Sequence, residues 1–490
     1  MPDTQAKVDF YPALIGGERV HAASRETIDA TNPANGELIG RFPRCGAEDV
    51  SAAVEAADTA FHSWSRTDPR ERADLLHRLA DALSREAEEF ALLDSLDNGS
   101  TLRMMRGDVA QAIEQTRFFA GMALQVTGDT LPTLPGRLNY SLRQPFGVVG
   151  RIIPFNHPLM FAMTRIAAPL VVGNTVVLKP SEHTSLTALR LAGHIAEIFP
   201  SGVVNIVPGL GGEAGDALVT HPDVRRLAFT GSAEIGRAIQ GRAASAGVKS
   251  VTLELGGKNP LVVFPDADVE LALDGAVRGM NFLWQGQSCG STSRLLVHRD
   301  LHDDFVKRLV ERISGLRSAM PQDETADIGA IVNRAQYEKV ERYVALGTDE
   351  GASLLTGGEP PSDPELAHGL FMRPAVFDHV RPDSRLAQEE IFGPVLAVLT
   401  FDDYDDAVRI ANGVGYGLTA AVFTRDLATA HAFARDAEAG YVWVNDSSRH
   451  FLGAPFGGFK DSGVGREESL HELEGYTQLK NVHVRYEDAH

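Results

Sequence analysis

Between residues 146 and 265, short apolar runs alternate with amphipathic stretches long enough to form helices. The apolar runs are GVVGRIIP, NTVVLKP, GVVNIVPG, RLAFTG and SVTLELGG. Continuous apolar runs are typical of strands that are buried on both faces, and the stretches between them suit crossover helices. The pattern predicts a doubly wound, parallel α/β sheet. Sheets of this kind bind ligands at the carboxyl ends of their strands.

A second series of apolar runs follows, namely NPLVVFP, SRLLVHRD, AVLTF, TAAVFT and YVWVN, again with helical segments between them. It predicts a second α/β lobe and a cleft between the two lobes. Ahead of the first sheet, a short β start leads into helices. One of these begins at Asp68-Pro69, because Asp is a favoured N-cap and Pro suits the first helical position.

Composition limits the kinds of partner. The 490 residues suggest two to four domains, and the net charge of -20 makes nucleic acid or an anionic membrane an improbable partner. We find no secretory signal and no run of ~20 apolar residues, so the expected location is the cytoplasm. Two cysteines and no HExxH or paired Cys/His spacing predict neither a disulfide framework nor a metal site.

Cys289 lies in GQSCGSTSR, where small neighbours leave the thiol accessible and let the backbone approach a substrate. The setting suits a nucleophile. On its own, however, a lone cysteine is more often a small buried apolar residue, and Cys45 is expected to be one.

Two other polar residues follow predicted strands. Glu254 ends the apolar run of VTLELGG, where a partly desolvated carboxylate can act as a general base, although a solvated strand-end glutamate is commoner. Asn156 lies between Pro154 and Pro158, where its amide could stabilise an oxyanion or simply form a turn.

Two glycine clusters follow later strands. VPGLGGEAG contains Gly209, Gly211, Gly212 and Gly215, and FTGSAEIG places Ser232 at the start of a helix. A strand, a tight turn and a helix N-terminus together present backbone N–H groups to a phosphate. The first cluster departs from GxGxxG, so each could also be only a turn.

Taken together, these segments resemble the aldehyde dehydrogenase superfamily over essentially the whole chain. The resemblance is carried by IIPFNHP, VVLKPSE, FTGSAEIG, LELGGKNP, GQSCGSTSR, EEIFGPV and PFGGFKDSGVGRE. It implies that Cys289 is the nucleophile, that Glu254 is the general base and that Asn156 joins the Cys289 backbone N–H in the oxyanion hole. The implied reaction proceeds through a thiohemiacetal and a thioester to a carboxylic acid. Family members that transfer the acyl group to coenzyme A generally lack this base, so the presence of Glu254 favours hydrolysis.

The same resemblance implies an NAD site, with the pyrophosphate at the helix that opens at Ser232. Lys179 and Glu182 would hold the adenosine ribose, and Glu390 and Phe392 the nicotinamide ribose and ring. A carboxylate at Glu182 would repel a 2′-phosphate, so NAD is expected over NADP, which stays possible. The remaining expected cofactor contacts are Ile153, Pro154, Gly212, Gly215, Phe229, Gly231 and Leu255.

The substrate is less constrained. Phe155 and His157 replace a tryptophan and a phenylalanine that are usual beside the asparagine, and His157, Phe161, Trp284 and residues 446–452 are candidate channel positions. Arg449 could pair with the carboxylate of a semialdehyde, although a solvated loop arginine is commoner. The alternatives to a general aldehyde dehydrogenase are a semialdehyde dehydrogenase, a catalytically silent NAD-binding scaffold and a cysteine hydrolase.

The expected organisation follows the family. Residues 1–122 and 146–256 would form the NAD-binding domain, and residues 257–447 the catalytic domain. Residues 123–145 and 471–490 would form an oligomerisation arm. LKNVHVRY shows strand alternation at the chain end and could equally be an ordinary edge strand. A homodimer or homotetramer is expected.

Overall fold

The computed structural model describes residues 8–486. Its strands fall into two large sheets and several small ones. In chain order the strands are β1 (Ala13–Ile15), β2 (Glu18–Val20), β3 (Thr27–Thr31), β4 (Leu38–Pro43), β5 (Thr130–Leu131), β6 (Arg137–Pro145), β7 (Val148–Ile152), β8 (Thr175–Lys179), β9 (Val204–Ile206), β10 (Val224–Thr230), β11 (Ser250–Glu254), β12 (Pro260–Val263), β13 (Arg294–His298), β14 (Ser353–Thr356), β15 (Ala375–Asp378), β16 (Val395–Phe401), β17 (Tyr416–Gly417), β18 (Thr419–Phe423), β19 (Tyr441–Val444), β20 (Phe459–Lys460), β21 (Gly463–Val464) and β22 (Thr477–Arg485).

Helices separate most of these strands. They are α1 (Ala47–Trp64), α2 (Pro69–Arg85), α3 (Ala87–Asn98), α4 (Leu102–Gly121), α5 (Pro158–Val171), α6 (Leu186–Ile198), α7 (Asp216–Thr220), α8 (Ala233–Ala246), α9 (Val269–Gly279), α10 (His302–Ser314), α11 (Arg334–Asp349), α12 (Arg385–Gln388), α13 (Tyr404–Asn412), α14 (Leu427–Asp436) and α15 (Leu470–Gly475).

The first large sheet has eight strands in the order β2-β1-β9-β8-β7-β10-β11-β21. The five strands from β9 to β11 are parallel, and every residue of β7 and β8 is buried. The predicted parallel, doubly wound sheet is confirmed. Strand order reverses between β7 and β10, which is the position where such sheets bind ligands.

The second large sheet has seven strands in the order β14-β15-β16-β13-β12-β18-β19. All its pairings are parallel except that of β14 with β15. The strands predicted from the later apolar runs are therefore present, and the α/β character of this region is confirmed. Separate apolar clusters line the two sheets, so each sheet has its own core.

A third sheet pairs distant segments. Strand β22 runs antiparallel to β6 from Thr477 opposite Pro145 to Arg485 opposite Arg137, and β5 pairs with the other edge of β6. The C-terminal strand is thus not a lone edge strand of a large sheet. Residues 487–490 of the predicted arm lie outside the described part of the chain.

Two local predictions can be compared with the structure. Asp68 does cap α2, because its carboxylate accepts a hydrogen bond from the Arg70 N–H at 2.8 Å. The helix predicted between NPLVVFP and SRLLVHRD is α9, which ends at Gly279. Asn281 and Gln285 adopt left-handed backbone conformations, with φ of 55° each, which interrupts the helix just before Cys289. Within residues 8–486, no helix is both long and apolar enough to cross a membrane.

Candidate active site

The side chain of Asn259 holds the segment that carries Cys289 in place. Its Nδ2 donates to the Cys289 carbonyl at 2.7 Å and to the Ser291 carbonyl at 2.9 Å. Its Oδ1 accepts from the Thr419 N–H at 3.0 Å, which links the tether to β18. Gly286 has a φ of +68°, and a Cβ there would lie 2.2 Å from the Gly393 oxygen. This packing fixes the position of the thiol.

Cys289 lies between two cavities and lines both of them. One cavity, of about 100 Å³, is also lined by His157 and Trp284, and we call it the substrate-side cavity because these are predicted channel positions. The other, of about 130 Å³, is lined by Glu390 and Phe392, and we call it the nicotinamide-side cavity after the predicted role of these residues. Glu254 and Leu255 line both cavities as well. Each cavity therefore gives access to both the thiol and the carboxyl group.

Glu254 is the last residue of β11, at the carboxyl edge of the first sheet, and only 4% of it is exposed. Among the described residues, neither carboxylate oxygen has a hydrogen-bond partner. Burial and the neighbouring Glu467 raise the pKa of Glu254 well above its usual range. A buried carboxyl group with a raised pKa and free oxygens is suited to accept a proton from water.

The Cys289 thiol is neutral in this environment. Burial raises its pKa to about 12, and the nearby carboxyl groups of Glu390 and Glu254 add to the effect. The thiol therefore needs a base or added positive charge before it can attack as a thiolate.

Asn156 follows the turn after β7 and is 3% exposed. Its backbone carbonyl accepts a hydrogen bond of 2.9 Å from the Asn98 side chain, which fixes the turn. The side-chain oxygen has no hydrogen-bond partner within residues 8–486. Asn156 lines the nicotinamide-side cavity together with Cys289. The two residues therefore border one cavity, as an oxyanion hole would require.

A groove of about 570 Å³ runs along the carboxyl edge of the first sheet. Lys179 Nζ contacts Glu182 Oε2 at 2.8 Å, and Glu182 Oε1 accepts from the Gly211 N–H at 3.3 Å. Burial opposes ionisation of Glu182, but Lys179 outweighs it and lowers the pKa of the carboxyl group. The groove thus presents an ionised carboxylate beside a lysine.

The floor of the groove leaves space for a ligand. Nothing lies within 4 Å of a Cβ built at Gly212 or Gly215, whereas one at Gly231 would strike the Phe229 ring at 2.4 Å. Helix α8 begins beside this floor, and the Ser232 hydroxyl caps it by accepting from the Ile235 N–H at 3.3 Å. The open backbone and the helix N-terminus suit a pyrophosphate.

Glu390 and Phe392 occupy the nicotinamide-side cavity. Glu390 Oε1 accepts from the Gly257 N–H at 3.0 Å, and a Cβ at Gly256 would collide with the same carboxyl group. Phe392 has a φ of +60°, and its ring meets Phe155 edge to face at 5.6 Å. These contacts hold both side chains at the junction of groove and cavity.

All the predicted catalytic and cofactor-binding residues line these connected spaces. The groove is lined by Ile153, Pro154, Lys179, Glu182, Gly212, Gly215, Phe229, Gly231 and Ser232, and the nicotinamide-side cavity by Asn156, Glu254, Leu255, Cys289, Glu390 and Phe392. Pro154, Gly231 and Ser232 line both spaces, so the groove is continuous with the cavity at Cys289. Their assigned roles stay predictions, since position alone does not test them.

Several lining residues were not identified from the sequence. Gln336 and Lys339 line the nicotinamide-side cavity, and Asn259 tethers the cysteine segment. Glu467 and Glu468 line the substrate-side cavity, and the first of them belongs to the quoted motif PFGGFKDSGVGRE, which was a usable signal. Asn259 likewise belongs to the quoted motif LELGGKNP, whereas Gln336, Lys339 and Glu468 have no local sequence signal, because they approach the site from distant segments.

Arg449 lies outside the two cavities that Cys289 lines. It lines an outer recess of about 710 Å³ with Glu114, and the recess shares Gln111, Ser448 and His450 with the substrate-side cavity. The recess is thus continuous with the substrate-side cavity. Arg449 itself does not line that cavity.

The second cysteine and one histidine cluster lie apart from this site. Cys45 is buried and packs against the turn at Gly209, as expected of a small apolar residue. His302, Asp378 and His379 bring potential metal-ligand atoms within 4.8 Å of one another. Among residues 8–486, this is the only such group of three or more potential ligands. None of the three lines the cavities beside Cys289.

Comparisons with known proteins point to one family. The sequence model of the aldehyde dehydrogenase family matches residues 20–482. The chain is 43% identical over 467 residues to aldehyde dehydrogenase tropH of Talaromyces stipitatus, covering 94% of this chain and 90% of that protein. It is 41% identical over 478 residues to an aldehyde dehydrogenase of Aspergillus niger, covering 97% and 95%. Betaine aldehyde dehydrogenase from Staphylococcus aureus in complex with NAD+ superposes with a TM-score of 0.95 at 35% identity, covering 98% of this chain and 95% of that chain.

Proposed function

The chain belongs to the aldehyde dehydrogenase family, and from that premise we propose that it oxidises an aldehyde to its carboxylic acid with NAD through Cys289. The observation that carries this proposal is the position of Cys289. Its thiol lines both a substrate-side cavity and a nicotinamide-side cavity that continues into the groove. A nucleophile at such a boundary can hold the substrate carbon while a hydride leaves toward the opposite side.

The residues divide the chemistry as follows. The Cys289 thiol loses its proton to solvent, and the resulting thiolate attacks the carbonyl carbon. The Asn156 amide and the Cys289 backbone N–H stabilise the oxyanion that forms. The tetrahedral adduct loses a hydride and becomes a thioester. Lys179, Glu182 and Ser232 of the groove would hold NAD+, which would supply the hydride acceptor. Glu254 then takes a proton from water, the resulting hydroxide attacks the thioester carbon, and the C–S bond breaks to release the acid.

The groove suits NAD. The ionised Glu182 beside Lys179 can accept hydrogen bonds from the two ribose hydroxyls, and the N-terminus of α8 can hold the pyrophosphate. A 2′-phosphate would place two or more negative charges near the Glu182 carboxylate. Selectivity for NAD over NADP follows as part of the proposal.

The proposal extends to the organisation of the molecule. Residues 1–122 and 146–256 form the NAD-binding domain, residues 257–447 the catalytic domain, and residues 123–145 with 471–490 the oligomerisation arm of a homodimer or homotetramer. Support comes from the two separate sheets and from the pairing of β6 with β22. The two free cysteines suit a reducing compartment, and we place the enzyme in the cytoplasm.

A panel assay tests the reaction. The protein is incubated with NAD or NADP and with aliphatic, aromatic, cationic and carboxylated aldehydes, and NADH formation is followed by absorbance. NADH should appear, with a higher kcat/KM for NAD than for NADP. NAD binding without turnover on any aldehyde would support a silent scaffold, and ester cleavage without NADH a cysteine hydrolase. A higher kcat/KM with NADP would contradict the role of Glu182.

The same panel separates the semialdehyde alternative. That alternative rests on Arg449, which lies in the outer recess and not beside Cys289. If Arg449 pairs with a substrate carboxylate, Arg449→Ala should lower kcat/KM for succinate semialdehyde much more than for benzaldehyde. An equal loss for both substrates would rule out the pairing.

A further inference from the structure

The substrate-side cavity has one aromatic wall and one polar wall. Phe161, Trp284 and Phe456 form the aromatic wall beside Cys289. The polar wall combines residues of α4, the start of α5 and two loops, and consists of Asp108, Gln111, His157, Asn281, Ser448 and His450. The thiol chemistry proposed above uses none of the polar-wall side chains. They are therefore available to bind the part of the substrate that does not react.

Within the polar wall, His157 and Asp108 form a fixed pair. His157 Nδ1 lies 2.7 Å from Asp108 Oδ2, and only 3% of the Asp108 side chain is exposed. The imidazole ring is also held by aromatic contacts, with centroids 5.6 Å from Phe161 and 5.8 Å from Trp284. The orientation of the ring is thus set on two sides before a substrate enters.

The carboxylate determines which atom of the ring a substrate meets. A carboxylate hydrogen-bonded to Nδ1 keeps the proton on that nitrogen. Nε2 of a neutral imidazole is then a hydrogen-bond acceptor. The pair therefore offers an acceptor nitrogen on a rigid ring at the edge of the cavity.

Apart from Glu254, the charged groups that line the cavity lie beside partners of opposite charge. Arg165, whose side chain is 4% exposed, contacts Glu467 at 2.9 Å, and Glu467 also binds Arg151. Glu468 contacts His450 at 2.9 Å. Arg165 is the one arginine or lysine among the described lining residues, and the carboxylates of Glu467, Glu468 and Glu472 lie within 4.0 Å of its guanidinium group and balance its charge. The free capacity of the polar wall is for hydrogen bonding and not for an ion pair.

We propose that the His157–Asp108 pair is a specificity-determining element that selects aldehydes carrying a neutral hydroxyl group. The substrate hydroxyl donates to His157 Nε2, the aromatic wall covers the carbon skeleton, and the carbonyl carbon faces Cys289. This inference rests on the proposed aldehyde oxidation and specifies its substrate class. A buried acceptor also discriminates against an apolar analogue, because that analogue leaves the acceptor without a partner.

Matched substrate pairs test the proposal. Initial rates with NAD are measured at one pH for 3-hydroxypropanal against propanal and for 3-hydroxybenzaldehyde against benzaldehyde. The wild-type protein should give a higher kcat/KM for the hydroxylated member of each pair, by about tenfold, which is the effect of one hydrogen bond. Equal values, or a preference for the unsubstituted member, would overturn the inference.

Variants assign the preference to the pair. His157→Phe should reduce the ratio of the two kcat/KM values by about tenfold, to near one, and His157→Gln, which keeps an acceptor, should restore part of it. Asp108→Asn should give an intermediate ratio, because the amide can still contact the ring but orients it less firmly. The matched control is His431→Phe on α14, which is exposed and lines none of the site cavities.

The outcomes for the reaction and for the specificity are distinguishable. If neither propanal nor benzaldehyde yields NADH with the wild-type protein, the proposed function fails and this inference falls with it. If both are oxidised but His157→Phe retains the wild-type ratio, only the inference is overturned. A carboxylated aldehyde that outperforms both hydroxylated probes would also overturn it.

Discussion

At the scale of the residue, Cys289 combines accessibility with a raised pKa. It lines two cavities, yet burial and neighbouring carboxyl groups raise the pKa of its thiol to about 12. A free thiol in solution would be partly ionised near pH 8.5, so at neutral pH this one stays protonated until the site removes its proton. Attack by Cys289 therefore depends on prior removal of the thiol proton.

The first prediction concerns this thiol. Cys289→Ala should abolish NADH formation, because no other described side chain in the two cavities is a thiol. The variant should keep its fold and its affinity for NAD, measured by circular dichroism and titration calorimetry. Cys45→Ala, at the buried second cysteine, is the matched control and should retain activity. Activity in Cys289→Ala would contradict the assigned nucleophile.

The second prediction concerns Glu254 and pH. Only the ionised carboxylate can take a proton from water, and burial raises the pKa of Glu254 well above its usual range. The ionised fraction, and with it the thioester hydrolysis rate, should therefore keep increasing with pH above the range in which an ordinary glutamate is already fully ionised. Glu254→Gln should lower steady-state kcat by about 10²- to 10⁴-fold and remove this rise.

Rapid-mixing measurements separate the base from the nucleophile. Glu254→Gln should still release a burst of NADH of about one equivalent per active site, because hydride transfer precedes hydrolysis of the thioester. Loss of both the burst and the steady state would place Glu254 earlier in the reaction than we propose.

At the scale of the element, the loop between α9 and β13 is positioned by the side chain of Asn259. This residue follows β11, and its amide holds the carbonyls of Cys289 and Ser291 while its oxygen accepts from β18. The Asn259 side chain therefore connects the residue just before β12 with the cysteine loop and with β18. The position of the thiol depends on that connection.

The third prediction removes this tether. Asn259→Ala leaves two carbonyls without their partner, at a cost of about 1–3 kcal/mol for a buried polar group. We expect kcat to fall about tenfold or more, with little change in NAD affinity, because the groove is formed by other residues. Asn412→Ala removes a comparable amide, which bridges Asp436 and Glu438 elsewhere, and serves as the control. Equal kinetic effects of both variants would indicate a general loss of stability.

At the scale of the whole molecule, the sheet formed by β5, β6 and β22 carries apolar side chains that the chain itself does not cover. Leu138, Leu142 and Leu479 are 38%, 40% and 61% exposed. Exposed leucines on a small sheet are typical of a surface that binds another protein. They support the proposed arm of a homo-oligomer.

The fourth prediction tests this surface. Light scattering of the wild-type protein should give the mass of a dimer or tetramer. Leu479→Asp should raise the dissociation constant by about tenfold or more, because a buried leucine contributes about 1.5–3 kcal/mol. Leu427→Asp on α14, where the leucine is 71% exposed, should leave the mass unchanged. A monomeric wild-type protein would refute the arm.

The sequence by itself determined the two α/β sheets and the strand-end residues. Buried parallel strands appear in the sequence as continuous apolar runs, and each run ends where polar or glycine residues begin. Glu254 and Ser232 could therefore be placed at strand ends from local patterns. The motifs and their order then identified the family, and the resemblance implied that Cys289 is the nucleophile. Helix α9 ends at Gly279, and Asn281 and Gln285 after it adopt left-handed conformations that periodicity does not reveal.

Only the tertiary structure decided what surrounds the thiol. Asp108 lies on α4 and His157 at the start of α5, 49 residues apart, and Glu467 and His450 come from near the chain end. No local pattern connects such positions, because the contacts form only when helices, loops and both sheets pack together. The reaction therefore follows from short motifs, which encode local geometry. The choice of substrate depends on packing between distant segments, which sequence periodicity does not encode.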